Sequence, residues 1–240
     1  MRFACAVLTA CLPALAWGGD QIYEPLSASV RAALHRAVSD QAAQTSAFAS
    51  LDEERRWLAE MSRRLGRHFP DQRAREDFLR TVHYEATRAG LDPQLVLAVI
   101  HVESAFRKYA VSPAGARGYM QVMPFWVKEI GEEEHNLFHL RVNLRYGCTI
   151  LRHYLDLEQG DLYRALGRYN GSLGRPEYPN AVLEAWQKVW SYPETTARAG
   201  RGRTRAAPGR RGYRTGSRRP RRLRIRRASV NARHARLTTR

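Results

Sequence analysis

Apolar residues recur at helical spacing through most of the first 190 positions, and period-two alternation is scarce. The pattern predicts helices over 27–48 and 51–66, where Ala, Leu, Val and Phe interleave with Arg, Gln and Glu. Asp71 is placed to cap a helix running to Ala89, with Phe78, Val82 and Ala86 on one face and Gly90 as a stop. Asp92-Pro93 opens the next helix, a capping carboxylate followed by a first-turn proline. From Leu95 to Ile100, and again at Val102, that helix is apolar nearly all round, so it is expected at the centre of the core. Ser112 to Gly118 is loop by its Gly and Pro content. Further helices are expected over 120–130, 141–158, 161–169 and 176–190, with polar 131–136 as a connection. The result is a single mainly α domain over 71–192, preceded by an accessory helical segment over 19–70.

One position breaks the apolar run with chemical consequence. Glu103 closes the helix, and a second apolar turn (Tyr119, Met120, Gln121, Val122, Met123) follows the loop. A carboxylate set among that much apolar surface loses hydration, which favours its protonated form. A carboxylic acid still protonated near neutral pH can donate a proton to a leaving oxygen. The bland alternative is an ordinary solvated Glu at a helix end, which the neighbours argue against. Met120 is equally readable as core packing. Gly118, without a Cβ, permits close backbone approach to a ligand.

Charge changes the picture only at the C-terminus. The formal net charge is +17, from 40 Lys+Arg against 23 Asp+Glu, which suggests a polyanion binder until it is located. From Ala197 onward the chain carries 17 Arg and no Lys, Asp or Glu, so the rest is formally neutral. The 193–240 tail has almost nothing to bury and reads as disordered. It is either a solvated extension or a salt-sensitive contact to anionic surface polymers or lipids; no specific nucleic acid is expected. Oligomeric state is not encoded in any visible pattern.

Residues 1–18 have the form of an export signal: Arg2, an apolar stretch from Phe3 to Ala16, then small residues. The expectation is an exported, periplasmic protein. Leu8-Thr9-Ala10-Cys11 also resembles a lipoprotein box, which leaves a lipid anchor at Cys11 open. Cys5 and Cys11 fall within the signal, so the mature chain keeps Cys148 alone, a small residue in an apolar helical context. The histidines lack paired spacing with Cys or Asp, so no metal site is expected. No cofactor is implied.

Three motifs carry a resemblance. Glu103-Ser104-Ala105-Phe106, Ser112 through Gly118-Tyr119-Met120-Gln121, and Arg168-Tyr169-Asn170-Gly171 resemble, in order and spacing, the motifs of the soluble lytic transglycosylase (SLT) domain. The resemblance covers roughly half the chain and implies a lysozyme-like fold of the goose type, with a cleft lined by the end of the Glu103 helix. It implies an enzyme acting on peptidoglycan glycan strands. Glu103 would protonate the bond between N-acetylmuramic acid and N-acetylglucosamine, then accept the proton of the muramoyl 6-hydroxyl as that oxygen attacks C1. The product would be a 1,6-anhydro end, with no water consumed. Ser104 and Gln121 would orient the acid and bind sugar groups, Gly118 and Met120 would line the cleft, Tyr169 would hold the acid, and Asn170 would bind substrate. Tyr178 corresponds to a further family tyrosine that contacts the acid. Arg168 stands where the family usually has Ala, and Tyr119 where Leu is common.

A lone motif carboxylate suits this mechanism, because an ordinary glycosidase needs two. No Asp or Glu occurs between Glu103 and Glu129. Three rivals remain: a muramidase that admits water at C1, a wall-binding or secretion-assembly protein with residual lysis, and a polyanion binder acting through the tail.

Overall fold

The computed structural model describes residues 21–39 and 47–192. The chain divides into two units, Met1–Glu194 and Thr195–Arg240, and all described residues belong to the first. The signal over 1–18, with Cys11, and the tail over 193–240 lie outside the described residues.

Among the described residues eight helices form the fold: α1 Ala28–Ser39, α2 Leu51–Leu65, α3 Gln72–Arg88, α4 Pro93–Ser104, α5 Phe125–Ile130, α6 Leu140–Leu157, α7 Leu162–Asn170 and α8 Glu177–Ala185. A turn of wider π-helical spacing, Trp186–Trp190, continues α8. Among the described residues the only extended pairings are isolated antiparallel bridges, Val111 to Arg117 and Arg117 to Val122. The molecule is therefore mainly α. No described helix is long and apolar enough to cross a membrane.

Capping chemistry sets the boundaries. Asp71 accepts the Ala74 N–H at 2.6 Å, and Asp92 accepts the Gln94 N–H at 2.6 Å ahead of Pro93. Asp161 does the same for Arg164 at 3.1 Å and starts α7. Each carboxylate satisfies a donor that the first helical turn leaves unpaired.

Helix α4 is the axis of the core. Leu95 through Ile100 are buried, and so are Glu103 and Ser104 at its end. It packs on α3, α8 and the π turn, while α6 packs on α1, α3 and α7. The sheath around α4 is why so apolar a helix is stable there; the hydrophobic gain needs partners on every side.

Two sequence expectations are corrected. The helix expected from Met120 begins five residues later, at Phe125, because residues 119–123 are held in a bridged turn with Arg117 and Val122 exchanging N–H···O bonds at 2.9 and 3.0 Å. The helix expected over 27–48 is helical over Ala28–Ser39, and residues 47–50 are not helical. There Ser50 adopts extended backbone to cap α2, its Oγ accepting the Glu53 N–H at 3.1 Å.

The α3–α6 contact holds a charge out of water. Glu85 is 1% exposed, and its carboxylate accepts from Arg145 Nε at 3.1 Å and Nη2 at 2.8 Å, with Arg88 Nε at 3.2 Å. The Arg145 fork is the geometry in which guanidinium and carboxylate satisfy each other best. Removing one partner strands the other charge. Glu85→Ala is expected to lower unfolding free energy by about 3–5 kcal/mol in urea titrations.

Candidate active site

Glu103 lies at the C-terminal turn of α4, and its side chain is 0% exposed. The resemblance implies that the end of this helix lines a cleft; the carboxyl itself is wholly buried, as the apolar run before it implies. Tyr178, from the first turn of α8, donates its hydroxyl to Glu103 Oε1 at 2.6 Å. The other oxygen, Oε2, is buried with no hydrogen-bond partner among the described residues. Burial pushes the carboxyl up from its ordinary 4.5 to about 8, with the Tyr178 hydrogen bond pulling weakly the other way. No second carboxylate contributes to that shift. Glu103 is thus a neutral acid at pH 7, one oxygen anchored and one uncommitted.

The chain reverses abruptly after it. Ala105 and Phe106 both have positive φ, 47° and 63°, and Gln121 is at 47°. Only one other described non-glycine residue, Gln159, shares this. Left-handed backbone at residues with a Cβ is unfavourable and persists only where the surroundings impose it. Here the imposition comes from hydrogen bonds that tie the three motifs together. Ser104 Oγ donates to the Tyr119 carbonyl at 2.7 Å, joining the first motif to the second. Tyr169 Oη donates to the Met120 carbonyl at 2.7 Å, joining the third to the second. Gln121 Nε2 donates to the carbonyls of Gly118 at 2.9 Å and Ala110 at 3.1 Å, closing the loop on itself.

Several expected roles change in consequence. Tyr169 is not the residue that holds the acid: its hydroxyl is committed to the Met120 carbonyl, and Tyr178 takes that position. Ser104, fully buried, spends its hydroxyl on backbone, so it fixes the loop instead of presenting a group to a ligand. Gly118 is required by packing, since φ is +76° and a Cβ would lie 2.4 Å from Asn143 Nδ2 and 2.6 Å from the Leu137 carbonyl. Met120 is core, its sulfur packed where a Cβ on Gly147 would come within 2.4 Å. Asn170 is buried, and its Nδ2 has no acceptor among the described residues. The departures at Tyr119 and Arg168 make other contacts: Tyr119 packs on Phe78 with ring centroids 5.0 Å apart, and Arg168 pairs with Glu158 and with Glu24, the latter at 2.9 Å.

Asn143 is the residue the sequence did not single out. Fully buried on α6, it accepts the Met120 N–H at 2.8 Å and donates to the carbonyls of Arg117 at 2.9 Å and Leu137 at 2.8 Å. Its signal was a lone amide among Leu144, Tyr146, Ile150 and Leu151, where an apolar residue would be expected. Among the described residues no group of His, Cys, Asp or Glu could hold a metal ion.

The segment that builds this geometry has counterparts among known proteins. Residues 80–181 match the family described as Transglycosylase SLT domain. It is 32% identical over 111 residues to a transglycosylase of Enterobacteria phage PRD1, a match covering 43% of this chain and 41% of the phage protein. It is 52% identical over 52 residues to a membrane-bound lytic murein transglycosylase C of Actinobacillus pleuropneumoniae serotype 5b, covering 22% of this chain and 14% of that one. The chain therefore spans less than half the length of these relatives. An inactive mutant of the lytic transglycosylase Slt from Pseudomonas aeruginosa is 27% identical, with TM-score 0.39, over 52% of this chain and 23% of that one.

The raised carboxyl makes stability depend on pH in a definite direction. Below 4.5 Glu103 is protonated folded and unfolded, and there is no difference. Between 4.5 and about 8 the folded chain keeps a proton that the unfolded chain releases, so this group's contribution falls as pH rises. Glu103→Gln is expected to be more stable than wild type by on the order of 3 kcal/mol at pH 7, converging with it below pH 4.5 in paired urea titrations. Removing the Tyr178 hydroxyl should act on the acid itself. In Tyr178→Phe the carboxyl is expected to titrate still higher than in wild type, followed by carbon-13 NMR of labelled glutamate; a downward shift would show that the phenol favours the neutral form.

Proposed function

We infer that this protein is a peptidoglycan lytic transglycosylase that cleaves the bond between N-acetylmuramic acid and N-acetylglucosamine without water. One observation carries the reading: a fully buried carboxyl, raised to about 8, with Oε1 held by Tyr178 and Oε2 uncommitted. The proton resides on Oε2, the oxygen with no partner among the described residues. It passes to the glycosidic oxygen as the C1–O4 bond breaks, and the leaving sugar departs as a neutral alcohol. The muramoyl 6-hydroxyl then attacks C1 and gives its proton to the same carboxylate, which restores the acid. Atoms balance without water, and one carboxyl serves both steps. Asn170 Nδ2, with no acceptor of its own, is suited to the N-acetyl carbonyl of the sugar.

Burial costs access. A glycan reaching Oε2 must displace what covers it, which also keeps water from C1 and favours the internal nucleophile. Ser104, Tyr169, Gln121 and Gly118 serve by holding the loop that carries Met120 against α4. The substrate implies an envelope location, in keeping with the membrane-bound murein enzymes among the relatives. An export signal over 1–18, with or without acylation at Cys11, is part of this reading.

The test is product analysis of purified sacculi digested by wild type and by Glu103→Gln. Wild type should release muropeptides lighter by one water than the reducing-end form. The variant should lose at least about 10²-fold in rate, the lower bound for a positioned proton donor, while remaining folded. Reducing ends would make the enzyme a muramidase, and undiminished turnover by the variant would remove Glu103 from the reaction.

A further inference from the structure

The loop that follows Glu103 carries a surface that the acid's own surroundings leave unused. Tyr109 is 70% exposed, and its ring lies 5.8 Å from that of Phe138, tilted by 52°. Lys108 Nζ stands 5.1 Å from the centroid of Tyr109, and the Arg117 guanidinium stands 6.0 Å from that of Phe138. Lys108 and Arg117 are exposed, and no ion pair occupies either among the described residues. Two rings, each with a cation over it, form one patch.

The patch is anchored to the acid's loop. Tyr109 precedes Ala110, whose carbonyl accepts from the Gly118 N–H at 2.9 Å and from Gln121 Nε2 at 3.1 Å. Phe138 follows Leu137, whose carbonyl accepts from Asn143 Nδ2 at 2.8 Å. Both rings are therefore borne on backbone fixed by the residues that shape the site. Aromatic side chains left in contact with solvent at fixed positions mark a surface that something else covers. The charge identifies what: Lys108 and Arg117 are the cations against the two rings, neither is ion-paired among the described residues, and the 104–128 segment that carries them contains no Asp or Glu, while the acidic run Glu132–Glu134 precedes Phe138.

We propose that Tyr109, Phe138, Lys108 and Arg117 form a subsite for a glycan unit bearing a carboxylate-containing peptide. The C–H face of the sugar stacks on the rings, as apolar hydrogens do on an aromatic face. The peptide carboxylates take charge-assisted hydrogen bonds from Lys108 and Arg117. The proposal rests on the lytic reading for the identity of the glycan, not for the existence of the patch. It makes the peptide substituent, not only the sugar backbone, a determinant of binding.

Binding and turnover are measured separately on the full chain. The probes are a disaccharide–tetrapeptide and the same disaccharide without peptide for titration by NMR, and intact against peptide-stripped glycan strands for turnover. The double variant Lys108→Ala/Arg117→Ala should bind the peptide-bearing probe roughly tenfold more weakly, with the peptide-free probe unaffected. On intact strands its KM should rise while kcat holds. Tyr109→Ala should weaken both probes, and Tyr109→Phe should restore them. Equal affinity of wild type and variants for the peptide-bearing probe overturns the subsite. If turnover is intact and the variants are indistinguishable, the subsite falls and the lytic reading stands. If there is no turnover but the binding pattern holds, the lytic reading falls and the subsite stands.

Discussion

Everything at this site depends on placing one carboxyl where water cannot reach it. An ionised Glu at the end of α4 would need hydration or a cation, and the structure gives Glu103 neither. The group answers by keeping its proton, as desolvation dictates. Helix α4 supplies the dry surroundings because it is apolar on nearly every face, and α3, α8 and the π turn close around it. Tyr178 then decides which oxygen is fixed and which is left without a partner among the described residues. Without the burial the phenol would be one more hydrogen bond, and without the phenol the acid would have no defined orientation.

The motif residues are largely a frame for that acid. Ser104, Tyr169, Gln121 and Asn143 all spend their polar groups on main-chain carbonyls or N–H groups between Ala110 and Leu137. This network is what sustains three non-glycine residues of the motif loops in the left-handed region. A loop that lacks regular pairing would otherwise leave its buried backbone groups unsatisfied, and each such group costs more than an ordinary hydrogen bond returns. Precision at Glu103 therefore depends on side chains whose polar groups are already committed to the backbone.

The sequence exposed the parts governed by local rules. Asp71, Asp92 and Pro93 announce helix starts through short-range hydrogen bonds and a fixed φ, and the structure has those starts. The apolar run before Glu103 announced a buried acid, because a helix apolar all round must be enclosed by the rest of the fold. The turn over 119–123 was illegible, since its apolar residues suit a helix and only the bridge to Arg117 prevents one. Tyr169 and Tyr178 were equally plausible partners for the acid on chemistry alone; their assignment depends on where α8 docks, a contact 75 residues away in sequence. Asn143 left a trace, a lone amide on an apolar face, but which backbone it would serve could not be read from α6 itself.

Glu85 and Glu103 set the two solutions to a buried carboxylate side by side. Both are essentially without solvent contact, on helices that pack together. Glu85 is met by the Arg145 fork and by Arg88, so its negative charge is held in place by guanidinium groups and its role is structural. Glu103 is met by a phenol, which can orient a carboxyl but cannot neutralise it. None of the basic side chains among the described residues is set against this acid. A cation there would stabilise the fold and fix the carboxylate as an anion, removing the proton it has to give. Withholding that cation is what leaves the buried acid protonated and, on the proposed reading, able to act as a reagent; the stability lost to it is the measure of how strongly the proton is held.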